Sequence, residues 1–226
     1  METESEPRRT RPQLVAAASF GVAFAVIWWV VARMTWPGRL DVRVTAWAAQ
    51  HRTDVLTAFF EAITHLGSMS FLIPAAALLG GFLLIRRREW KPLVWLALTL
   101  AVTGLSYSLV KTLVARPRPP EALRITDATG WAFPSGHAAQ AVAFWSLVAV
   151  LLSTGRSRRT RAASVGAAVT LAIAIGISRI YLGAHWTTDV LAGWVLGGFW
   201  LFLVLALVLA MRERPGSQAT QAGSAD

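Results

Sequence analysis

Three polar clusters interrupt an otherwise apolar chain, and ionisable groups set among membrane-length apolar runs are costly enough to mark function. The first runs from Lys111 to Pro120. Its two cations, Lys111 and Arg118, suit a multiply charged anion: the guanidinium offers planar two-pronged donation and the ammonium a compact point charge. Lys111 closes an apolar span here, and the prolines that follow forbid its continuation and hold Arg118 on a stiff extended segment.

The second cluster, Phe133 to Ala139, reads as a helix start. Ser135 is the candidate cap, and Gly136 lets the backbone approach a ligand closely. The free N–H groups of a first helical turn attract an anion, and His137 stands beside it as a candidate proton donor. In the third cluster, Ser178 to Asp189, Arg179 adds a cation, and His185 and Asp189 share one face if the stretch is helical. A carboxylate at Asp189 accepts a hydrogen bond from one imidazole nitrogen, fixing the tautomer and leaving the other nitrogen free to attack.

Each cluster alone has a plainer reading: a positive helix end at the interface, a capped helix, a histidine–aspartate pair tying a loop to a helix. Together they supply phosphate-holding cations, backbone donors, an oriented nucleophile and an acid, a full set for phosphoryl transfer without a metal. No cluster of carboxylates suits Mg²⁺, and with no cysteine there is neither a thiolate nucleophile nor a zinc set, so no cofactor is implied.

The elements that must position these groups are membrane spans. Of the 226 residues 55% are hydrophobic and 15% charged, the formal net charge is +10 and the mean hydropathy is +0.50. Apolar runs near 14–32, 69–85, 92–110, 138–152, 162–180 and 190–211 approach or reach the roughly 20 residues that cross a bilayer. The predicted fold is therefore all-α, six transmembrane helices in one domain over 14–211. Residues 1–13 form a polar cytoplasmic segment, read as the flank of a retained first helix and not as a signal peptide. Residues 212–226, rich in Gly, Ser, Gln and Ala, are expected to be a disordered cytoplasmic tail.

Between the first two spans, residues 37–67 place Val42, Val44, Trp47, Phe59 and Phe60 at helical spacing among Asp41, Arg43, Arg52 and Glu61. This predicts amphipathic helices at the membrane surface, with the aromatics at headgroup depth. His51 and His65 are read as structural, Tyr107 and Tyr181 as packing or interfacial residues. The tryptophans, Trp194 among them, are read mostly as belt residues, while Trp186 is a candidate to shape the site.

Six spans put Arg8, Arg9 and Arg11, then Arg86 to Arg88 and Lys91, then Arg156 to Arg161, then Arg212 and Arg214 on one side, expected to be cytoplasmic. The three clusters then fall on the outer face of a plasma membrane. The arginines sit at span ends and form no stripe with interleaved aromatics, so the basic balance points to the bilayer and away from nucleic acid. Oligomeric state is not legible.

The clusters resemble the signature of the type-2 phosphatidic acid phosphatase superfamily: Lys111 with Arg118-Pro119, Pro134-Ser135-Gly136-His137, and Ser178-Arg179 with His185 and Asp189, in order and unbroken. The resemblance implies His185 as the nucleophile that forms a phosphohistidine, Asp189 orienting it, and His137 as general acid. It implies that Lys111, Arg118, Ser135, Gly136 and Arg179 hold the phosphate. The expected substrate is a lipid phosphate or diphosphate, polyprenyl diphosphate above all, with phosphatidylglycerol phosphate and phosphatidic acid beside it. A phosphotransferase and a non-enzymatic lipid transporter are the alternatives, the latter without the inverted halves of many transporters.

Overall fold

The computed structural model describes residues 10–33 and 37–212, so most of the expected N-terminal segment and all but Arg212 of the expected tail lie outside the described residues. Among the described residues every regular element is helical: α1 (Arg11–Arg33), α2 (Arg39–Gln50), α3 (Asp54–His65), α4 (Met69–Arg87), α5 (Lys91–Val114), a single 3₁₀ turn (Glu121–Leu123), α6 (Gly136–Ser153), α7 (Arg158–Tyr181) and α8 (Thr187–Arg212). Six of them, α1 and α4 to α8, are long and apolar enough to cross a membrane.

α6 is the axis of the bundle, buried along most of its length and packed against α5, α7 and α8. Lipid tails are as apolar as leucine, so membrane helices gain by close backbone approach, and small residues line their contacts. Ala138, Ala139, Ala141 and Ala143 are fully buried on α6. Gly193 and Gly197 of α8 face them so closely that an added Cβ would meet the carbonyl oxygens of Ser135 and Ala139. Below this crossing, larger side chains fill the core, with Leu72, Leu96, Phe144, Leu147 and Val204 in one cluster.

The chain enters each site-bearing helix in a way its sequence explains. Ser135 caps α6 by accepting from the Ala138 N–H at 3.5 Å. α5 continues through Val114, so Lys111 sits inside its last turn and does not close it. The stop is Ala115, left-handed at φ 49°, just before Pro117. In α8, Asp189 reaches back to the Trp186 N–H at 2.9 Å, the reciprocal half of a capping box.

α2 and α3 occupy the predicted amphipathic stretch. Leu40, Val42, Trp47, Val55 and Phe59 are exposed, while Asp41 and Thr45, on the polar side of the pattern, are buried against the bundle. Arg52, between the two helices, donates to the Tyr181 carbonyl and, at 2.7 Å, to that of Leu123. The Tyr181 hydroxyl bonds the Thr53 N–H and Thr57 Oγ1, both at 3.1 Å, so Tyr181 pins α3 to the end of α7. Trp194 is not a belt residue: its Nε1 donates to the Ala172 carbonyl at 3.1 Å and its ring covers Gly176, joining α8 to α7.

Candidate active site

All eight predicted residues gather at one end of the bundle, formed by the end of α5, the start of α6, the end of α7 and the start of α8. The basic runs at Arg86–Arg88 and Arg156–Arg161 lie at the other end. Ser135, Arg179, His185 and Asp189 are buried, while Lys111, Gly136, His137 and Arg118 keep partial exposure.

His185 is not in a helix. It lies in the turn before α8, and the predicted shared helical face does not exist, yet its Nδ1 still faces Asp189 Oδ2 at 3.5 Å, longer than a formed hydrogen bond. On the other side of the ring, Arg118 Nη1 lies 3.2 Å from Nε2. A guanidinium only donates, so this contact requires the lone pair on Nε2 and places the ring proton on Nδ1, toward the carboxylate. Burial, reinforced by the Lys111, Arg118 and Arg179 cations, holds His185 well below the usual histidine range, against the pull of the Ala132 carbonyl.

Arg118 is fixed by carbonyls, Ala184 at 2.6 Å, Thr129 at 2.9 Å and Gly130 at 3.0 Å. Lys111 donates to the carbonyls of Trp131 and Ala132. Arg179 reaches Thr64 Oγ1 of α3 at 2.8 Å. His137, in the first turn of α6, lies within electrostatic reach of Arg179, His185, Arg118 and Lys111. The N-terminal turn of α6 is tied to α8 by the Ser135 N–H donating to the Asp189 carbonyl at 2.9 Å, and Gly136 packs on the Tyr107 ring, which a Cβ would meet at 3.1 Å. Lys111, Arg118, Arg179 and His137 thus lie within electrostatic reach of His185 at the end where α6 begins, a positive setting whose chemistry suits an anion.

Sequence reasoning missed the groups behind His185. Arg116 is 1% exposed and joins Asp189 Oδ1 at 2.5 Å to Asp41 Oδ2 at 2.6 Å. Thr188 and Thr64 were not singled out either. The one available signal was a third cation between Lys111 and Arg118, too many for the apolar setting. Trp186, a candidate to shape the site, does so through its backbone, and its Nε1 donates to the Pro117 carbonyl at 2.9 Å.

Residues 92–213, more than half the chain, match the PAP2 superfamily. Phosphatidylglycerophosphatase B of Bacillus subtilis is 33% identical over 167 residues, 73% of this chain and 81% of the relative. Undecaprenyl-diphosphatase of Sulfolobus acidocaldarius is 30% identical over 136 residues, 58% of this chain and 60% of the relative. The crystal structure of a transmembrane PAP2 type phosphatidylglycerolphosphate phosphatase from Bacillus subtilis superposes with a TM-score of 0.80 at 27% identity, covering 90% of this chain and 98% of that one. With motifs, helices and relatives in agreement, the chain belongs to the PAP2 superfamily and is a multi-pass membrane phosphatase of it.

Proposed function

We propose that the protein hydrolyses a lipid phosphate or diphosphate through a phosphohistidine on His185, with no metal in the chemistry and with the site on the outer face of the membrane. The observation that carries this is the imidazole of His185, its Nε2 lone pair presented beside Arg118 and its Nδ1 turned to Asp189.

In the first step Nε2 attacks phosphorus while the bond from phosphorus to the lipid-side oxygen breaks. Protonated His137 gives its proton to that oxygen, and the lipid leaves as an alcohol or, from a diphosphate, as a monophosphate. Lys111, Arg118, Arg179 and the N–H groups at the start of α6 hold the three equatorial oxygens as charge builds on them. In the second step water attacks phosphorus, His137 takes a water proton, the P–N bond breaks, and free phosphate leaves with His185 restored.

The motifs read phosphate and not the tail, and the named relatives differ in the lipid they are named for, a phosphatidylglycerophosphatase and an undecaprenyl-diphosphatase. Polyprenyl diphosphate leads our reading of the substrate, with phosphatidylglycerol phosphate and phosphatidic acid beside it. The outward orientation rests on the basic runs at the end of the bundle opposite the site.

The test is phosphate release from these three lipids by detergent-purified protein in EDTA, with His185→Ala in parallel and acid-labile label trapped on the protein. Release and label by the wild type alone support the reading. Activity that needs added Mg²⁺, or that survives in His185→Ala, refutes it.

A further inference from the structure

Behind the site a buried ionic chain runs from Asp189 to the peripheral helix α2. Arg116 Nη1 donates to Asp189 Oδ1 and to Thr188 Oγ1 at 2.7 Å, and its Nη2 donates to Asp41 Oδ2. Thr188 closes the chain, its N–H donating to Asp41 Oδ1 at 2.9 Å and its hydroxyl lying 2.9 Å from Oδ2. Asp41 and Arg116 are 1% exposed and Asp189 is fully buried. Asp41 lies outside the stretch that matches the superfamily, and Arg116 is one of the unspecified positions between Lys111 and Arg118.

Two physical consequences bear on His185. First, Arg116 holds Oδ1 and the Trp186 N–H holds Oδ2, so the plane of the Asp189 carboxylate is fixed with Oδ2 toward Nδ1. Second, the charges matter. When Nε2 bonds to phosphorus the ring becomes cationic, and the group behind it stabilises that cation in proportion to its net charge. Asp189 with Arg116 alone is neutral. Asp41 returns the set to a net −1.

We propose that Asp41 and Arg116 are positioning residues for the reaction: they hold Asp189 as a fixed, charged acceptor for His185 Nδ1–H and act on turnover through His185, touching no substrate atom. This rests on the reading of His185 as nucleophile. The charged groups facing Asp189 are Arg116 from the α5–α6 loop, with Lys111 of α5 and Arg118 of that loop as more distant cations and His185 from the turn before α8. Asp41 of α2 reaches it only through Arg116.

A cavity of about 620 Å³ between α1, α2 and α8 is lined by Asp41, Arg116 and Thr188 together with aliphatic side chains such as Ile27 and Leu191. It makes chemical rescue practicable.

The experiment measures kcat and KM for phosphate release by wild type, Asp41→Asn, Asp189→Asn, the double variant and Arg116→Ala. Outer groups that orient a working side chain change activity about 10- to 100-fold when removed. Asp41→Asn should therefore lower kcat about 10-fold and Arg116→Ala about 100-fold, each with KM within roughly 3-fold of wild type. Asp41→Asn should add no further loss in the Asp189→Asn background, because its effect passes through that carboxylate. Guanidinium ions at millimolar levels should restore part of the Arg116→Ala activity where sodium ions do not. Should Arg116→Ala fail to fold, Asp41→Asn, which keeps its shape, decides alone. Wild-type kcat in Asp41→Asn, a loss seen in KM only, or full additivity with Asp189→Asn overturns the proposal. An inactive wild type or an active His185→Ala instead removes the reading of the site on which it rests.

Discussion

Replacing Gly193 by alanine tests whether the α6–α8 crossing sets the phosphate cradle. The new Cβ would lie 2.5 Å from the Ser135 carbonyl oxygen and 2.9 Å from Ala138 Cβ. Ordinary contact begins at 3.4 Å, so the helices must part by the difference, 0.9 Å, and the neighbour on one side is backbone that has no rotamer to yield. Overpacking of this kind costs about 2 kcal/mol, which lowers Tm by roughly 5 °C in a protein of this length. The larger effect is on chemistry. Ser135 and Gly136 begin the turn that in our proposal holds the phosphate, and a displacement of about 1 Å at a reacting centre costs roughly 100-fold in rate. The assay is phosphate release alongside thermal unfolding in one detergent, with Gly81→Ala as the control, since a Cβ there meets nothing within 4 Å. A Gly193→Ala protein with wild-type kcat and Tm would refute the claim that this crossing positions the site.

Three further outcomes follow from the geometry. His185 must be neutral to attack, and its value is held below the ordinary 6.5 by burial and nearby cations, so the acidic limb of kcat/KM should lie below pH 6.5. By the same sign, the stability His185 contributes is complete above 6.5 and is lost as pH falls toward the depressed folded value. A limb at or above 6.5 in a pH series of phosphate release would contradict both statements. Tyr181→Phe removes the hydroxyl that joins Thr53 and Thr57 and should cost about 1 kcal/mol of stability while leaving kcat unchanged. A fall in kcat without a fall in Tm would show that the contact serves the chemistry instead.

The spans, and the gathering of the eight predicted residues at one end of the bundle, were legible because each is written locally: apolar runs by length, the cap by Ser135 with Gly136, the cations at helix ends. What escaped depends on pairings distant in sequence. Asp41 reads as the polar side of a surface helix, and only the fold brings it to Arg116 75 positions later. Tryptophan content suggests an interfacial belt, but Trp194 is claimed by Gly176, whose missing side chain leaves a slot for an indole. The end of α5 was misplaced because Lys111 looked like a terminus, whereas the chain stops only where Pro117 forbids helix and Ala115 turns left-handed. His185 and Asp189 face each other at 3.5 Å, but not across one helical face: the turn at Gly183, with φ +75°, delivers the imidazole from outside the helix.

The glycines at the α6–α8 crossing also bear on how such enzymes diversify. Where two backbones touch through Gly193 and Gly197, almost any larger residue pushes the helices apart, so that pair tolerates little change. The membrane-facing positions of α1 and α4, such as Val22, Val26, Ile73 and Leu78, are exposed and meet no such restriction. Substitution at those outward positions leaves the α6–α8 crossing untouched, so the face turned to the bilayer is free to vary while the end that carries the eight residues keeps its geometry.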